Sequence, residues 1–325
     1  MLELRYPLFD GQKVWEGACV TVDAGVIVSV EPCDPAACQE GFLLPGLIDA
    51  HVHMGTHAHV QAMLKNGVTT VCDVSASREL IAASRQLSIV ASAGMAMGVV
   101  LSPKSYVEQA AANGASYIKV LLFSPLSIGK PALCGIVKEA HERGLQVAVH
   151  ATELATVRQA VDAGADILLH VPMKEALPEE LAEEIAQRGM AVAPTLVMME
   201  TFAQSGKNGY QPHHYENAQL AVQLLRRAGV TILAGTDANP GSFAPAVGYG
   251  DTLHRELALL AEAGLTPVEA LTAATGNVGK AFRLQAGRLL PGQPANMVLV
   301  SGRPDRHMAH SRQIQTLWVK GEALS

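Results

Sequence analysis

The feature that most constrains the fold is a regular alternation of short apolar runs and helical segments through the middle of the chain. Strands that alternate with helices predict a parallel sheet covered by helices. Eight such units in about 240 residues are typical of a (β/α)8 TIM barrel, which we expect here as an α/β fold. The apolar runs lie at residues 43–53, 67–74, 95–101, 117–122, 145–150, 166–170, 190–195 and 230–237.

The helical segments between these runs carry a typical end signal. Several are followed by glycine, as helices commonly are at their C-termini. A doubly wound open sheet is the alternative architecture, but no Gly-x-Gly-x-x-Gly turn follows the first run. The segments include 136–143, 154–163, 179–188 and 218–228, and the glycines are Gly144, Gly164, Gly189 and Gly229.

The two ends of the chain have a different pattern. Residues 1–42 hold short alternating runs broken by polar turns, and residues 296–300 and 314–319 resemble them, which predicts antiparallel β-structure. Neither end has enough strands to close a core alone. We therefore expect one small β-sandwich domain built from residues 1–44 and 286–325, with the barrel formed by residues 45–285.

Composition narrows the function classes. The net charge of −6 gives no indication of a nucleic-acid or anionic-membrane surface. No apolar run approaches 18 uninterrupted residues, and the N-terminus lacks a basic region followed by an apolar one. The five cysteines are odd in number and scattered, which favours a reducing compartment. We expect a cytoplasmic protein with a small-molecule substrate and no nucleic-acid or membrane partner, and we leave a homo-oligomer open.

Polar side chains follow several of the apolar runs at the point where each predicted strand ends. In a barrel the carboxyl ends of the strands meet on one rim, where the chemistry lies. Any one of these residues could instead cap a backbone group, but together they supply imidazole and carboxylate groups, the ligands of zinc and similar ions. The residues are His51 and His53 after the first run, His150 after the fifth, His170 after the sixth and Asp237 after the eighth.

Lys119 is the most informative single residue. It interrupts the apolar run Tyr-Ile-Lys-Val-Leu-Leu, and strand alternation places its side chain opposite Ile118 and Val120. An ammonium group inside a barrel is costly and would repel a metal. Reaction with carbon dioxide would turn it into a carbamate whose two oxygens can bridge two metals. The alternative is a lysine that points outward and extends between helices.

The sequence resembles the amidohydrolase superfamily, and within it the imidazolonepropionase- and prolidase-like enzymes. The resemblance rests on Leu-Pro-Gly-Leu-Ile-Asp-Ala-His-Val-His at 44–53 and Ala-Gly-Thr-Asp at 234–237. It also rests on the helix signature at 265–275 and the return into the β-domain at 287–300. The chain departs from the family pattern at Asn296, usually Asp, and at Thr152, where many prolidase-like members carry a second histidine.

This resemblance implies a set of roles. His51, His53 and Asp237 would hold one divalent metal, His150 and His170 a second, and a carboxylated Lys119 would bridge them; zinc is the expected metal. A metal-activated hydroxide would hydrolyse an amide-like C–N bond of a dipeptide or N-acyl amino acid, with Asp237 as general base and then acid. The alternatives are a mononuclear cyclic-amide hydrolase or deaminase and a non-catalytic scaffold.

Substrate binding is expected to lie in the loops after the strands. The stretch 196–217, with Tyr210, is expected to be a long loop that could act as a lid. Arg78, Lys104 and Lys130 are basic residues near rim loops, and any of them could bind a substrate carboxylate. The sequence does not choose among them, so the substrate-binding residues stay unknown at this point.

Overall fold

Parallel strands form the middle of the molecule. The structure, a computed structural model, describes residues 1–74, 76–123, 127–242 and 244–324. Its strands are β1 (Leu2–Phe9), β2 (Val14–Asp23), β3 (Val26–Pro32), β4 (Phe42–Pro45), β5 (Leu47–Val52), β6 (Val68–Asp73), β7 (Ser88–Ala91), β8 (Met95–Ala96), β9 (Tyr117–Leu122), β10 (Gln146–Ala151), β11 (Ile167–Leu169), β12 (Ala191–Ala193), β13 (Thr231–Ile232), β14 (Met297–Val300), β15 (Ile314–Val319) and β16 (Glu322–Leu324).

Helices connect most of these strands and cover the parallel sheets. Within the described ranges they are α1 (His57–Lys65), α2 (Arg78–Ala83), α3 (Pro103–Ala112), α4 (Lys130–Glu142), α5 (Leu154–Ala163), α6 (Glu179–Gln187), α7 (Leu196–Ser205), α8 (His214–Arg227), α9 (Asp251–Glu262), α10 (Pro267–Ala273) and α11 (Gly276–Ala281). None of these helices is both long and apolar enough to cross a membrane.

The parallel strands lie in two groups whose ends are joined by backbone hydrogen bonds. One group is β5-β6-β7 and the other is β13-β12-β11-β10-β9-β8. Ala50 on β5 donates to the carbonyl of Ala234 at 2.9 Å, and Asp237 donates to the carbonyl of His51 at 2.8 Å. The segment that follows the last parallel strand therefore lies directly beside the first. The predicted α/β fold with parallel strands is confirmed.

The prediction of the third parallel strand was correct only for Met95–Ala96, which form β8 and pair in parallel with β9. It was placed at residues 95–101, but β7 occupies Ser88–Ala91 and pairs with β6, while β8 is only two residues long. Val99 and Leu101 are 85% and 93% exposed, so this apolar run is not a buried strand. A strand as short as β7 has too few residues for a clear period, and its place is set by pairing with β6 rather than by local pattern.

The first predicted strand is in fact two strands. The break is at Gly46, so that β4 joins the sheet made by the chain ends and β5 joins the parallel strands. The Gly46 N–H donates to the carbonyl of Asn296 at 2.8 Å, and a Cβ on Gly46 would overlap the Thr69 side chain. The close approach of Thr69 explains why this position needs glycine.

The helix signals were reliable, with one exception. The four glycines predicted to end helices all have positive φ, between 67° and 83°. The stretch 196–217 was expected to be a loop, but α7 and the start of α8 occupy most of it. Met198 and Met199 on α7 are buried, so the helix is held by tertiary packing that its short sequence does not reveal.

The two chain ends share one seven-stranded sheet, in the order β16-β15-β14-β4-β1-β2-β3. Strand β4 pairs parallel to β1 and antiparallel to β14, and so connects the N-terminal strands to the C-terminal ones. The described strands of this region form one sheet, so the predicted β-sandwich is not confirmed. The division into residues 1–44 with 286–325 and residues 45–285 stays a prediction.

Gly287 offers a test of how the two parts are joined. It has a φ of +80°, and a Cβ there would overlap the backbone carbonyl of Thr275; Gly292 has a φ of +86° and open space around it. Both alanine variants carry the backbone strain, but only Gly287→Ala adds a backbone clash. We expect it to lower the free energy of unfolding by about 1–3 kcal/mol more than Gly292→Ala, as measured by urea denaturation. Equal losses would contradict this account.

Candidate metal centre

The ends of four parallel strands position the predicted ligands. His51 lies near the end of β5 with His53 just after it, His150 is on β10, His170 follows β11, and Asp237 follows β13. Because parallel strands run in the same direction, these positions meet at one edge of the sheets. The structure therefore brings together side chains that are up to 186 residues apart in the chain.

Asp237 lies between two imidazoles. Its Oδ1 is 3.0 Å from His53 Nε2 and 3.3 Å from His51 Nε2. Neither contact has the geometry of a hydrogen bond, and Oδ1 is a buried atom with no hydrogen-bond partner among the described residues. Lone pairs that converge without a proton between them are the arrangement that a cation would satisfy.

His150 and His170 form the other side of the cluster. Their ring centroids are 4.4 Å apart, and the His170 ring is 5.4 Å from that of His51. The Nδ1 of His170 is hydrogen-bonded to Thr195 Oγ1 at 2.7 Å, which fixes the ring. The Nε2 atoms of both histidines are buried without a partner in the described part of the chain. A ring held through one nitrogen with the other left open is typical of a metal ligand.

Burial keeps these imidazoles neutral. It lowers the pKa of His51 and of His170 well below the usual value, and it lowers that of His150 to about 3. The charge of Lys119 acts in the same direction on all three rings. A neutral imidazole has a free lone pair, which is the form that binds a metal ion.

Lys119 lies inside, as strand alternation predicts. Its side chain is 1% exposed, and its Nζ has no hydrogen-bond partner among the described residues. Burial lowers the pKa of Lys119 to about 7, while the charge of Asp237 acts in the opposite direction. An amine with such a pKa is partly neutral at physiological pH, and the neutral amine is the form that reacts with carbon dioxide. The alternative of an outward-pointing lysine is wrong.

The structure shows the predicted ligands as one group and does not test how the resemblance divides them between two metals. His51, His170 and Asp237 each offer a ligand atom within 4.8 Å of the other two. The resemblance implies that His170 holds a second metal together with His150. The described side chains form one continuous cluster, and the assignment of each ligand to a particular ion stays a prediction.

Asp49 is a residue of the site that the sequence analysis did not single out. Its buried carboxylate accepts hydrogen bonds from the Thr236 hydroxyl at 2.6 Å, the Thr236 N–H at 3.0 Å and the His51 N–H at 3.2 Å. It thereby fixes the residues next to Asp237 and the backbone of His51 together. The sequence did contain an indication of this role, because Asp49 is the one acidic residue inside the first apolar run.

Backbone conformation also marks the site. His170, Thr195 and Asp237 have positive φ values of 74°, 50° and 54°. Such conformations are unfavourable for residues with a Cβ and persist only where the surroundings impose them. Here they turn the chain sharply at the strand ends, so that side chains enter the cluster.

Glu256 on α9 supports the site through the start of α7, and the sequence analysis did not single it out. Its two carboxyl oxygens accept from the N–H groups of Leu196 at 3.0 Å and Val197 at 2.7 Å, the first residues of α7. Thr195, which holds His170, immediately precedes them. The side chain is fully buried, and burial raises the pKa of Glu256 to about 8 although the two N–H donors oppose the shift.

Comparison with known proteins identifies relatives. A profile of the amidohydrolase family matches residues 42–324. Ochratoxinase from Aspergillus niger is 30% identical over 179 residues, which are 52% of this chain and 35% of that protein. Imidazolonepropionase from Pyrobaculum arsenaticum is 29% identical over 170 residues, which are 50% of this chain and 38% of that protein. These alignments thus span little more than a third of the relatives' lengths.

Solved structures resemble the whole chain. A Xaa-Pro dipeptidase with methionine bound in its active site has a TM-score of 0.82 to this chain at 19% identity, and the match covers 99% of both chains. At this level of identity the likeness shows a shared fold.

The raised pKa of Glu256 predicts a pH dependence of stability. Between the unfolded pKa of about 4.3 and the folded pKa of about 8, the folded state keeps a proton that the unfolded chain releases, so the group's contribution is lost as the pH rises. The Glu256→Gln variant has an amide in place of the carboxyl group and does not titrate at this position. The free energy of unfolding of the unsubstituted protein minus that of E256Q should therefore decrease from about pH 4.5 to pH 8. Urea denaturation at several pH values measures it, and movement in the opposite direction would refute the assignment.

Proposed function

The chain belongs to the amidohydrolase family, and on that premise we propose that it is a metal-dependent hydrolase of an amide-like C–N bond. The observation that carries the proposal is the set of buried ligand atoms without hydrogen-bond partners in the described residues: His51 Nδ1, His150 Nε2, His170 Nε2, Lys119 Nζ and Asp237 Oδ1. Leaving five such atoms unpaired in a protein interior is costly unless a bound group satisfies them.

We propose the closed (β/α)8 barrel as the scaffold of this site. The hydrogen bonds of Ala50 and Asp237 between the first and last parallel segments support it, as does the bond from Ser116 to the carbonyl of Ala91 at 2.8 Å. The cytoplasmic location, the small-molecule substrate and the absence of nucleic-acid and membrane partners rest on composition and stay predictions.

The donor set fits two divalent ions, for which zinc is the expected identity. His51, His53, His150, His170 and Asp237 would hold them, and a carboxylated Lys119 would bridge them. When bound, the ions would supply Lewis acidity and a nucleophile at neutral pH. Imidazole nitrogens with carboxylate oxygens are the donors that zinc takes.

Within this site the chain's own residues move the protons. Asp237 Oδ1 lies beside both His51 and His53, and in our proposal it accepts a proton from the attacking water and then delivers it to the leaving nitrogen. Asp49 and Thr236 keep the backbone around Asp237 fixed, so that the carboxylate does not turn away. We propose a dipeptide or an N-acyl amino acid as the substrate.

A mononuclear enzyme, a cyclic-amide hydrolase or deaminase, is the second candidate. It is favoured by the three ligand atoms of His51, His170 and Asp237, which lie within 4.8 Å of one another and could hold one ion. Elemental analysis of the purified protein separates the candidates. Two metals per chain would indicate the binuclear hydrolase, one metal the mononuclear enzyme, and no metal a non-catalytic scaffold. A screen of metal-loaded protein against dipeptides, N-acyl amino acids and lactams then identifies the reaction.

Asp237→Asn tests the proposed proton transfer. Because the amide cannot accept a proton as the carboxylate does, we expect kcat to fall by about 10²–10⁴-fold while the fold is retained. Metal content is measured alongside kcat, so that lost metal is not mistaken for lost acid–base chemistry. Asp251→Asn on the exposed start of α9 is the matched control and should keep kcat. Near-normal kcat in a metal-replete D237N protein would contradict the role.

Lys119→Ala tests the bridge. Removal of the proposed carbamate should leave at most one tightly bound metal per chain, with activity partly restored by a small carboxylic acid that occupies the vacated space. Mass spectrometry under native conditions, in bicarbonate, measures both the metal count and the added carbon dioxide. The exposed Lys104→Ala is the control. A K119A protein that keeps two metals and full activity would refute the bridge.

A further inference from the structure

A cavity of about 370 Å³ is lined by residues that follow two of the predicted ligands in the chain and by none of the six predicted ligands themselves. Its walls are Thr152, Glu153, Ala155, Pro172, Lys174 and Glu175. Thr152 comes two residues after His150, and Pro172 comes two residues after His170. The cavity therefore opens at the carboxyl ends of β10 and β11, next to two of the proposed ligands, and its volume suits a small organic group.

Lys174 is the cationic side chain of this cavity. Its Nζ lies 4.9 Å from the centroid of the Tyr210 ring, in a cation–π contact. Among the described residues Lys174 has no ion pair, whereas many other basic side chains of the protein have one. Its charge is therefore available to a ligand.

Tyr210 is a fixed platform for this lysine. Its ring is buried and packs against Phe202 at a centroid distance of 5.3 Å. Burial raises the pKa of the Tyr210 phenol, and a hydrogen bond with Thr152 opposes the shift, so the phenol stays neutral and lies next to the cavity wall. Tyr210 thus connects Lys174 with Thr152, which also lines the cavity.

The acidic residues of the cavity leave Lys174 free for an anion. Glu153 is the N-cap of α5, where the partial positive charge of the helix N-terminus favours its carboxylate. Glu175 and Lys174 are both exposed to solvent, which screens the attraction between their charges. The cavity therefore presents one uncommitted cation on an aromatic platform close to the proposed reaction centre.

We propose that Lys174, held over Tyr210, binds the free α-carboxylate of the substrate's amino-acid half. The inference rests on the proposed function and assigns the residue that would recognise its proposed substrates, N-acyl amino acids and dipeptides, by their free C-terminus. In such molecules the carboxylate is separated from the scissile nitrogen by one carbon, so its cation must lie beside the metal centre.

This assignment replaces the basic residues expected from the sequence. Arg78 is hydrogen-bonded to Asn113 at 2.5 Å, and Lys130 is paired with Asp162 at 2.7 Å, both on the exposed surface. Lys104 lies on α3 and does not line this cavity. The signal for Lys174 in the sequence was its position four residues after His170.

The test compares a free acid with its amide. We would measure binding of N-acetyl-L-leucine and N-acetyl-L-leucinamide to the metal-loaded protein by calorimetry, for the unsubstituted protein, Lys174→Met, Lys174→Arg and the control Lys104→Met. We expect the unsubstituted protein and K104M to prefer the acid by about tenfold or more, as a charge-assisted contact gives. K174M should lose this preference with unchanged metal content, and K174R should keep part of it.

Two results would overturn the proposal. One is an acid preference that survives in K174M, which would mean that the metals or another residue bind the carboxylate. The other is no preference in the unsubstituted protein. If the acid preference depends on Lys174 but no C–N substrate is hydrolysed, the subsite stands and the proposed function fails. Where hydrolysis is found, K174M should raise KM for free acids and leave kcat and the amide substrates nearly unchanged.

Discussion

The candidate metal centre depends on the contacts of the buried carboxyl group of Asp49. This group joins the first parallel strand to the segment after the last one by accepting three hydrogen bonds, two from Thr236 and one from His51. Burial raises the pKa of Asp49 to about 7 although these three hydrogen bonds oppose the shift, so the donors are what stabilises its ionised form inside the protein. The same bonds set the spacing of His51 and Asp237, and so the size of any site between them.

Exclusion of water gives the cluster its chemical character. Burial keeps the imidazoles in the neutral form, in which one ring nitrogen has a free lone pair, and it makes the buried lysine partly neutral. The surrounding polar contacts then hold each group in one orientation, as Thr195 does for His170 and as Glu256 does for the start of α7. Ligand strength and ligand geometry thus come from the same packing, which is why residues far from the cluster affect it.

The sequence predicts the parts of the structure that depend on local pattern. Strand alternation places Lys119 inside, and glycine marks the helix ends correctly. Prediction from local pattern fails where strand pairing or tertiary packing determines the structure. Strand β7 is too short to show a period, and α7 is stabilised by buried methionines. Gly46 divides one apolar run between two sheets. The contacts of Asp49 and Lys174 were missed because each depends on a partner, Thr236 or Tyr210, whose proximity only the folded chain creates.

The 187-residue separation of Asp49 and Thr236 has a consequence during protein synthesis. All four ligand histidines and Lys119 leave the ribosome well before Asp237, so the nascent chain carries them without the contact that closes the site. The sheet formed by the chain ends is completed even later, because β4 cannot pair with β14 until β14 has been synthesised. Such non-local contacts make folding slow and leave apolar strands exposed for longer. The cluster of ligand atoms is therefore completed late in the life of the new chain, only after the segment that carries Asp237 has been made.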